Sequence, residues 1–268
     1  MQPKIKLAAV AVATSMQVFM MSANAAGCSN PAAVTSGTRT ASIVELYTSE
    51  GCDSCPPADK WFSTLSYKRD GVVPLAFHVD YWDYIGWKDP FGKPAYAERQ
   101  RSTVTRQGSR TVYTPQVMLD GKDARAWTFN SKFDAGVREL AARPALAVMT
   151  LAANSSNSIP GAVEVAVSVN VPDAALRNDS ALFIAVTESN LQSRVTAGEN
   201  RGNILKHNHV VRELIGPIAI RASGVMNIRR SVDLAGNWKR EDMEVAGFVQ
   251  NLRNGEILQA LSTPLCGS

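Results

Sequence analysis

Two cysteines at a predicted strand-to-helix turn constrain the fold of this chain more than any other feature of its sequence. Cys52 and Cys55 are separated by two residues, and prolines follow at once at positions 56 and 57. Residues 43–47 before them predict a β-strand, and residues 58–65 after them predict a helix with its large apolar residues along one side. The pattern therefore places two thiols where a strand ends and a helix begins.

This position has a chemical consequence for the thiols. The first backbone N–H groups of a helix have no partner within the helix, so they favour a nearby thiolate. Thiol–disulfide exchange requires a thiol with a lowered pKa and a second thiol that can resolve a mixed disulfide. The sequence therefore predicts a thioredoxin-like redox protein in which the sulfur of Cys52 is accessible at the start of the helix.

The first 25 residues have the composition of a cleaved export signal. Lys4 and Lys6 precede a largely apolar run at residues 7–21, and the small residues Ala23 and Ala25 form a cleavage site. The apolar run is too short for a membrane span. We therefore expect an exported protein, periplasmic or secreted, without a membrane segment.

Charge and length limit the classes of partner and the number of domains. The net charge of the chain is +4, and removal of residues 1–25, with two lysines and no acids, leaves +2. This excess is too small to indicate nucleic acid as a partner. The remaining 243 residues (268 minus 25) suffice for two domains.

Two further cysteines, Cys28 and Cys266, lie near the two ends of the mature chain. Chain termini often lie close together, so these cysteines can form a disulfide. The alternative is that Cys28 is lipidated, because the preceding residues 25–27 resemble a lipoprotein processing site. In that case the protein would be attached to a membrane, and Cys266 would have no partner.

The residue pattern changes character halfway along the chain. Residues 26–40 are small and polar and predict a tether, whereas residues 41–144 alternate strand and helix. Within residues 145–268, valines at every second position from Val163 to Val171 predict a strand with one buried face. The expected fold class is therefore an α/β thioredoxin-like domain followed by an antiparallel all-β, sandwich-like domain.

The pair Thr114-Pro115 lies at the entrance to a further predicted strand. In thioredoxin-like folds a cis proline at this place packs beside the dithiol and presents backbone to an extended client chain. Tyr81 and Trp82 follow the strand predicted at residues 72–79, and we expect them to face the dithiol. We therefore predict that Thr114, Pro115, Tyr81 and Trp82 form the substrate-binding surface.

Four stretches of the sequence resemble a family of bacterial exported thioredoxin-like proteins, catalogued as domain of unknown function 1223. They are V-E-L-Y-T-S-E-G-C-D-S-C-P-P-A-D at residues 44–59, H-V-D-Y-W-D-Y-I-G-W at 78–87, Y-T-P-Q at 113–116 and K-H-N-H-V-V-R at 206–212. The resemblance covers the mature chain and implies a thioredoxin-like fold with an appended β domain. It implies no particular reaction, because the family has none assigned.

The resemblance implies separate roles for the two thiols. Cys52 would be the attacking thiol and Cys55 the buried resolving thiol. Glu50 and Asp53 place negative charge beside Cys52, which disfavours its thiolate and predicts a less strongly oxidising pair. The expected partners are a protein client with a thiol or disulfide and a separate redox partner.

Glu45 has two interpretations. It lies on the strand before the dithiol, one residue away from the position of the buried aspartate of thioredoxins, and could accept a proton from Cys55. Because one residue of offset reverses the face of a strand, it could equally be an edge-facing surface glutamate.

Two other functions use the same residues. The dithiol could bind copper or zinc, and His207 and His209 would share one face if they lie on a strand, whereas His78 is expected to be a packed strand residue. Alternatively, the protein is a non-catalytic binding module in which a Cys52–Cys55 disulfide only fixes the turn. The favoured redox function needs no cofactor and no metal.

Overall fold

The computed structural model describes residues 33–156 and 158–265. The predicted signal peptide at residues 1–25 and the two cysteines Cys28 and Cys266 lie outside these ranges.

Most of the regular structure in the described ranges is β-sheet. The strands are β1 Val34–Thr35, β2 Ser42–Thr48, β3 Val72–His78, β4 Gln116–Leu119, β5 Lys122–Asp123, β6 Val148–Ser155, β7 Ala162–Asn170, β8 Ser180–Glu188, β9 Leu191–Arg194, β10 Ile204–His207, β11 Val210–Ala219, β12 Val225–Asp233, β13 Met243–Asn251 and β14 Ile257–Pro264. The helices are α1 Pro56–Phe62, α2 Tyr67–Asp70, α3 Pro94–Arg106, α4 Asn130–Ala142 and α5 Ala174–Arg177. Short 3-10 turns lie at Asp83–Ile85, Arg125–Thr128 and Arg240–Asp242.

One large mixed sheet organises the chain. Its eight strands lie in the order β14-β13-β8-β11-β3-β2-β4-β5. A four-stranded sheet, β1-β6-β7-β12, packs against it, and β9 and β10 form a separate hairpin. Strands β2 and β3 are parallel, as are β3 and β11, whereas the other pairs of the large sheet are antiparallel.

The predicted fold class, an α/β thioredoxin-like domain followed by an antiparallel β sandwich, is wrong. The parallel contact between Val210 of β11 and Ala76 of β3 joins strands from both sides of residue 144 in one sheet. The described residues contain fourteen strands, and only α3 and α4 exceed seven residues among the helices. The sequence patterns predict strands and helices one at a time, so they could not show that strands of the second half continue the sheet of the first.

Alternate residues of β2 face different helices, because successive side chains of a strand point to opposite faces. Val44 and Leu46 pack with Ala58 and Phe62 of α1. The residues that alternate with them pack on the other face, where Ile43 and Tyr47 belong to the same cluster as Tyr96 of α3. The two faces of β2 therefore support two different buried environments.

The small sheet confirms the prediction of a strand with one buried face at residues 163–171. Val163, Val165, Val167 and Val169 are buried, and β7 covers residues 162–170. They pack against buried residues of the large sheet such as Leu182. This core therefore lies between the two sheets.

The N-terminal segment predicted to be a tether contributes to this sheet. Val34 and Thr35 form β1 and pair antiparallel with Leu151 and Thr150. The described part of this segment is therefore held in place by backbone hydrogen bonds. Among the residues that the structure describes, no helix is both long and apolar enough to cross a bilayer.

Candidate functional site

The two cysteines of the turn form a disulfide between β2 and α1. The Cα atoms of Cys52 and Cys55 lie 5.4 Å apart. Helix α1 begins at Pro56, directly after Cys55, and proline is well suited to this first position because its missing N–H would have no helical partner. The predicted placement of the cysteines before a helix is thus correct, although the helix ends at Phe62.

Both cysteines are buried. Cys52 is 1% exposed and Cys55 is fully buried. The expectation that the sulfur of Cys52 is accessible is therefore wrong, whereas Cys55 is buried as the resemblance implied. The sequence of the turn could not show this, because the residues that cover it come from distant parts of the chain.

A loop at residues 195–203, called here the covering loop, is one of two segments that cover the turn. Asn200 donates two hydrogen bonds through its side-chain amide, one to the carbonyl of Glu50 and one to the carbonyl of Cys52, each 2.9 Å long. The backbone N–H of Asp53 donates to Glu199 at 3.3 Å. The covering loop is therefore attached to the turn by its own side chains.

The second covering segment is the aromatic stretch after β3. A Cβ atom at Gly51 would lie 2.9 Å from the Cβ of Trp82, so the close approach of this segment requires glycine. Ile85 contacts the same position and also approaches Gly198 of the covering loop. Both segments therefore pack against the backbone of the turn that carries the buried disulfide.

Five ionisable side chains are buried near the disulfide, and we call them the acid–histidine cluster: Glu50, Asp59, His78, Asp89 and His207. His207 lies 3.1 Å from a carboxylate oxygen of Glu50, and His78 lies 2.7 Å from Asp89. The two imidazole rings contact each other with centroids 4.8 Å apart. Buried charges are stable only when they are paired or hydrogen-bonded, and these pairs meet that requirement.

Further hydrogen bonds fix the carboxylates. The second oxygen of Glu50 accepts a hydrogen bond of 2.8 Å from the indole N–H of Trp87. Asp89 accepts bonds of 2.8 Å from the backbone N–H groups of Glu50 and Phe91. Within the described chain, Nε2 of His78 and Nδ1 of His207 have no hydrogen-bond partner. The cluster thus retains two buried imidazole nitrogens whose hydrogen-bonding capacity is unused within the described residues.

Two aspartates of the cluster have opposite pKa shifts. Burial raises the pKa of Asp59 to about 7, although His207 and the Thr48 hydroxyl act in the other direction. Burial also acts to raise the pKa of Asp89, but His78 and the backbone hydrogen bonds outweigh it and lower the pKa overall. Asp89 therefore stays ionised at neutral pH, whereas Asp59 exchanges a proton there.

Asp59 lies one helical turn after Cys55, and its backbone N–H donates to the Cys55 carbonyl at 3.1 Å. A cleft of about 380 Å³ between α1 and β10 is lined by Asp59 and His207 and opens to solvent. A proton held by Asp59 can therefore reach water even while the disulfide is covered.

Glu45 takes neither of its predicted positions. It is fully buried, and one carboxylate oxygen accepts hydrogen bonds from Arg99 Nε at 2.6 Å and from the Tyr47 hydroxyl at 3.1 Å. Glu45 lies on the α3 side of β2, whereas α1 packs on the other side. It is therefore not placed to accept a proton from Cys55.

The four predicted substrate-binding residues, Tyr81, Trp82, Thr114 and Pro115, are partly exposed. The Thr114–Pro115 peptide bond is cis, as predicted. The indole N–H of Trp82 donates to the Thr114 hydroxyl at 2.7 Å, and Trp82 also lies against the turn. Tyr81 instead donates to Gln100 at 3.2 Å. The structure thus joins Trp82 and Thr114 directly, while Tyr81 contacts α3.

The histidines are arranged differently from the expected strand pair. His207 ends β10, but His209 lies in the following turn with a φ of 57°, so the two do not share a face. Burial lowers the pKa of His209 to about 4. His207 instead meets His78, which is buried at the end of β3. No group of three or more histidine, cysteine or acidic residues within the described ranges is arranged to hold a metal ion.

Sequence reasoning missed Asp59, Asn200 and the partner of His207. The signal for Asp59 was present, because an acid four residues after Cys55 on a predicted helix must lie one turn from it. Asn200 and Glu199 carried no comparable signal, since their loop reaches the turn only through the tertiary fold.

Together these features define a mostly β-sheet protein with a covered disulfide above a buried cluster of acids and histidines. The sequence profile of one family, described as protein of unknown function (DUF1223), matches residues 43–250. The chain belongs to this family, so the predicted membership of domain of unknown function 1223 is confirmed. No curated protein matches the chain.

Two solved structures resemble the fold. The chain is 24% identical to a protein from Agrobacterium tumefaciens solved by X-ray crystallography, with a TM-score of 0.60 over 87% of this chain and 97% of that one. It is 18% identical to HBP35 of Porphyromonas gingivalis, with a TM-score of 0.63 over 85% of this chain and 76% of that one. At these identities the likeness concerns the fold alone.

Proposed function

We propose that this protein is a thiol–disulfide oxidoreductase whose Cys52–Cys55 disulfide reacts when the covering loop moves away from the turn. The observation that carries this proposal is Asp59, a buried acid one helical turn from Cys55 with a pKa of about 7. Strongly shifted acids beside a reactive group are a common property of active sites. A disulfide that only fixes a turn needs no such acid.

In the oxidising direction, a client thiolate attacks the sulfur of Cys52 and forms a mixed disulfide. The Cys52–Cys55 bond breaks, and its electron pair leaves on the sulfur of Cys55. Asp59 in its protonated form supplies a proton to this thiolate. A second client thiol, after losing its proton, then attacks the client sulfur of the mixed disulfide, and Cys52 leaves with that proton. The client is oxidised to a disulfide, and the protein is reduced to a dithiol.

The reverse sequence reduces a client disulfide. Asp59 must then accept the proton of Cys55, so that the Cys55 thiolate can attack the sulfur of Cys52 in the mixed disulfide. The Cys52–Cys55 bond forms, and the client leaves as a thiolate. A carboxyl group with a pKa of about 7 is effective in both directions at neutral pH, since both of its forms are populated. We propose that the protein acts in an oxidising compartment outside the cytoplasm, where such a disulfide persists.

A second candidate function is a non-catalytic binding module with a structural disulfide. The burial of Cys52 favours it, because a covered sulfur cannot meet a client. The two candidates differ in how the disulfide becomes reducible. Local opening of the covering loop suffices for the oxidoreductase, whereas a structural disulfide requires unfolding of the protein.

The first experiment measures the rate of disulfide reduction by dithiothreitol at several urea concentrations below the unfolding transition. For the oxidoreductase, the rate is independent of urea, and Asn200→Ala raises it by about tenfold or more, because two hydrogen bonds of about 1 kcal/mol each are lost. Asn203→Ala, in the same loop but exposed, is the matched control and leaves the rate unchanged. A rate that rises with urea in parallel with global unfolding, in all three proteins, supports the binding module instead.

The second experiment identifies clients. Cys55→Ser keeps Cys52 and removes the thiol that resolves the mixed disulfide, so clients accumulate as covalent adducts. The double variant Cys52→Ser/Cys55→Ser is the control. Specific adducts of the single variant, released by reductant and absent from the control, support the proposal; their absence in the exported fraction contradicts it.

A further inference from the structure

A cleft on the other side of the large sheet has no part in the proposed redox function. It lies between α3 and the part of the sheet formed by β8, β11 and β13, and its volume is about 360 Å³. Helix α3 packs on the opposite face of β2 from α1. We propose that this cleft binds a small amphipathic carboxylate, with its carboxylate group at Arg106 and its apolar tail on the sheet.

The walls of the cleft fit an apolar tail. Phe183, Leu214, Pro217 and Leu252 line it from the sheet side. Strand β11 is irregular between residues 215 and 218, and this irregularity includes Pro217. Ligand sites are typically concave, mostly apolar and a few hundred Å³ in volume, with a small number of polar groups that orient the ligand. The size of this cleft corresponds to a small ligand.

Most charged residues of the cleft already have partners. Lys93 lies 3.1 Å from Glu213, and both are about half exposed. Arg99 is held by Glu45 at 2.6 Å, and its guanidinium carbon lies 5.1 Å from the ring centre of Phe183. These cations are compensated by carboxylates of the protein, so they do not require an anion from solution.

Arg106 is the cation of the cleft without a carboxylate partner among the described residues. Its Nη2 donates to the Thr103 hydroxyl at 2.8 Å, and its buried Nε has no hydrogen-bond partner in the described ranges. Burial and the neighbouring Arg99 both lower the pKa of Arg106. Glu98 also lines the cleft, but it pairs with Arg101 at 3.4 Å. Arg99 and Arg106 therefore share one nearby carboxylate, Glu45, which leaves one excess positive charge at the cleft once these pairs are counted.

This charge count selects the chemical class of the ligand. A monoanion neutralises the single excess charge, and a planar carboxylate matches the fork of donors on a guanidinium group. A cation is disfavoured by Arg99 and Arg106, and a wholly polar anion leaves the apolar walls uncovered. An aliphatic or aromatic carboxylate matches both features of the cleft, because its charged group neutralises Arg106 and its tail covers the apolar wall.

Isothermal titration of the wild-type protein with octanoate and with octanamide tests the proposal. The two probes share a tail and differ in the charged group. We expect octanoate to bind at least tenfold more tightly than octanamide, because charge-assisted hydrogen bonds are about twice as strong as neutral ones. Equal affinities, or no octanoate binding at millimolar concentration, would overturn the proposal without any variant being needed.

Variants then locate the site. Arg106→Gln should weaken octanoate binding at least tenfold and leave octanamide unchanged. Arg110→Gln, an exposed position four residues further on with the same loss of charge, is the matched control. Leu252→Ser, at a partly exposed wall position, should weaken both probes by about threefold or more through loss of apolar contact. Weakening by Arg110→Gln equal to that by Arg106→Gln would show non-specific attraction and contradict the assigned site.

Discussion

The two faces of β2 carry two buried ionic clusters with opposite chemistry. On the α1 side, the acid–histidine cluster contains Asp59, which donates and accepts protons near neutral pH. On the α3 side, Glu45, Tyr47, Arg99 and Arg106 form what we call the arginine cluster. The two clusters contact β2 only three residues apart: Thr48 donates a hydrogen bond to Asp59 on one face, and Glu45 lies on the other. Successive side chains of a strand point to opposite faces, so two residues an odd number of positions apart lie on opposite faces.

The difference lies in which ions can change their charge. Guanidinium groups keep their proton throughout the neutral pH range, so Arg99 and Arg106 carry fixed charges. On the α1 side, burial raises the pKa of Asp59 to about 7, so this carboxyl changes its charge near neutral pH. The comparison indicates that the α3 side of the strand carries arginines of constant charge, whereas the α1 side carries a carboxyl that changes its charge near neutral pH.

The largest expected effect is on the arginine cluster. Arg99→Met leaves the buried carboxylate of Glu45 without its main partner, and we expect the free energy of unfolding to fall by about 3–5 kcal/mol at pH 7. Chemical denaturation measures this value. Arg101→Met, on the exposed side of the same helix, is the control and should change it by less than about 0.5 kcal/mol.

The double variant Glu45→Gln/Arg99→Met sharpens the result. It removes both charges, so it should recover most of the stability that Arg99→Met loses. If the double variant is as unstable as the sum of its single variants, the loss comes from packing against the aromatic rings rather than from the unpaired charge. In that case the fixed-charge interpretation of this face is wrong.

Asp59→Asn tests the titratable face. The folded state holds a proton that the unfolded chain releases, because the pKa is about 7 in the folded state against an ordinary value of 3.8. The free energy of unfolding of the wild type should therefore fall as the pH rises from 4 to 7, by up to about 4 kcal/mol at 1.36 kcal/mol per pKa unit. The variant lacks this contribution, so its stability relative to the wild type should increase over the same range.

Urea denaturation at pH 4.5, 6 and 8 measures this difference. Other titrating groups largely cancel between the two proteins. The control Asp53→Asn changes an exposed aspartate of the same turn and should follow the wild type at every pH. Parallel curves for Asp59→Asn and the wild type would show that Asp59 is not the group that titrates near neutral pH.

Asp89→Asn should have a smaller effect of opposite sign. Its lowered pKa means that its contribution is present above the unfolded pKa and is lost as the pH falls through the folded pKa. We expect the variant to lose about 1.5–3 kcal/mol at pH 7, the range for hydrogen bonds to a charged group, and the loss to shrink below pH 4. Denaturation between pH 3 and 7 measures it. A loss that is constant over this range would contradict the opposite shifts of the two aspartates.

Local features of the site were predictable because they depend on neighbouring residues. The Cys52–Cys55 spacing, the prolines and the apolar pattern before them predict a dithiol before a helix, and the cis bond before Pro115 was also predicted. The burial of Cys52 was not, since Asn200 lies about 150 residues away in sequence and carries no motif. The prediction for Glu45 was wrong for a related reason. Its partner Arg99 belongs to α3, and the sequence of β2 does not specify on which face of the strand that helix packs.

The sequence by itself determined the family, the disulfide at the start of a helix and the one-sided burial of β7, because periodicity and spacing act over a few residues. Only the tertiary structure decided that β11 pairs with β3 and merges both halves of the chain into one sheet. It also decided that the carboxylate of Glu45 is paired with Arg99, whereas burial raises the pKa of Asp59 to about 7. Strand pairing and electrostatic interaction depend on distances through space between residues far apart along the chain, and no local pattern encodes those distances.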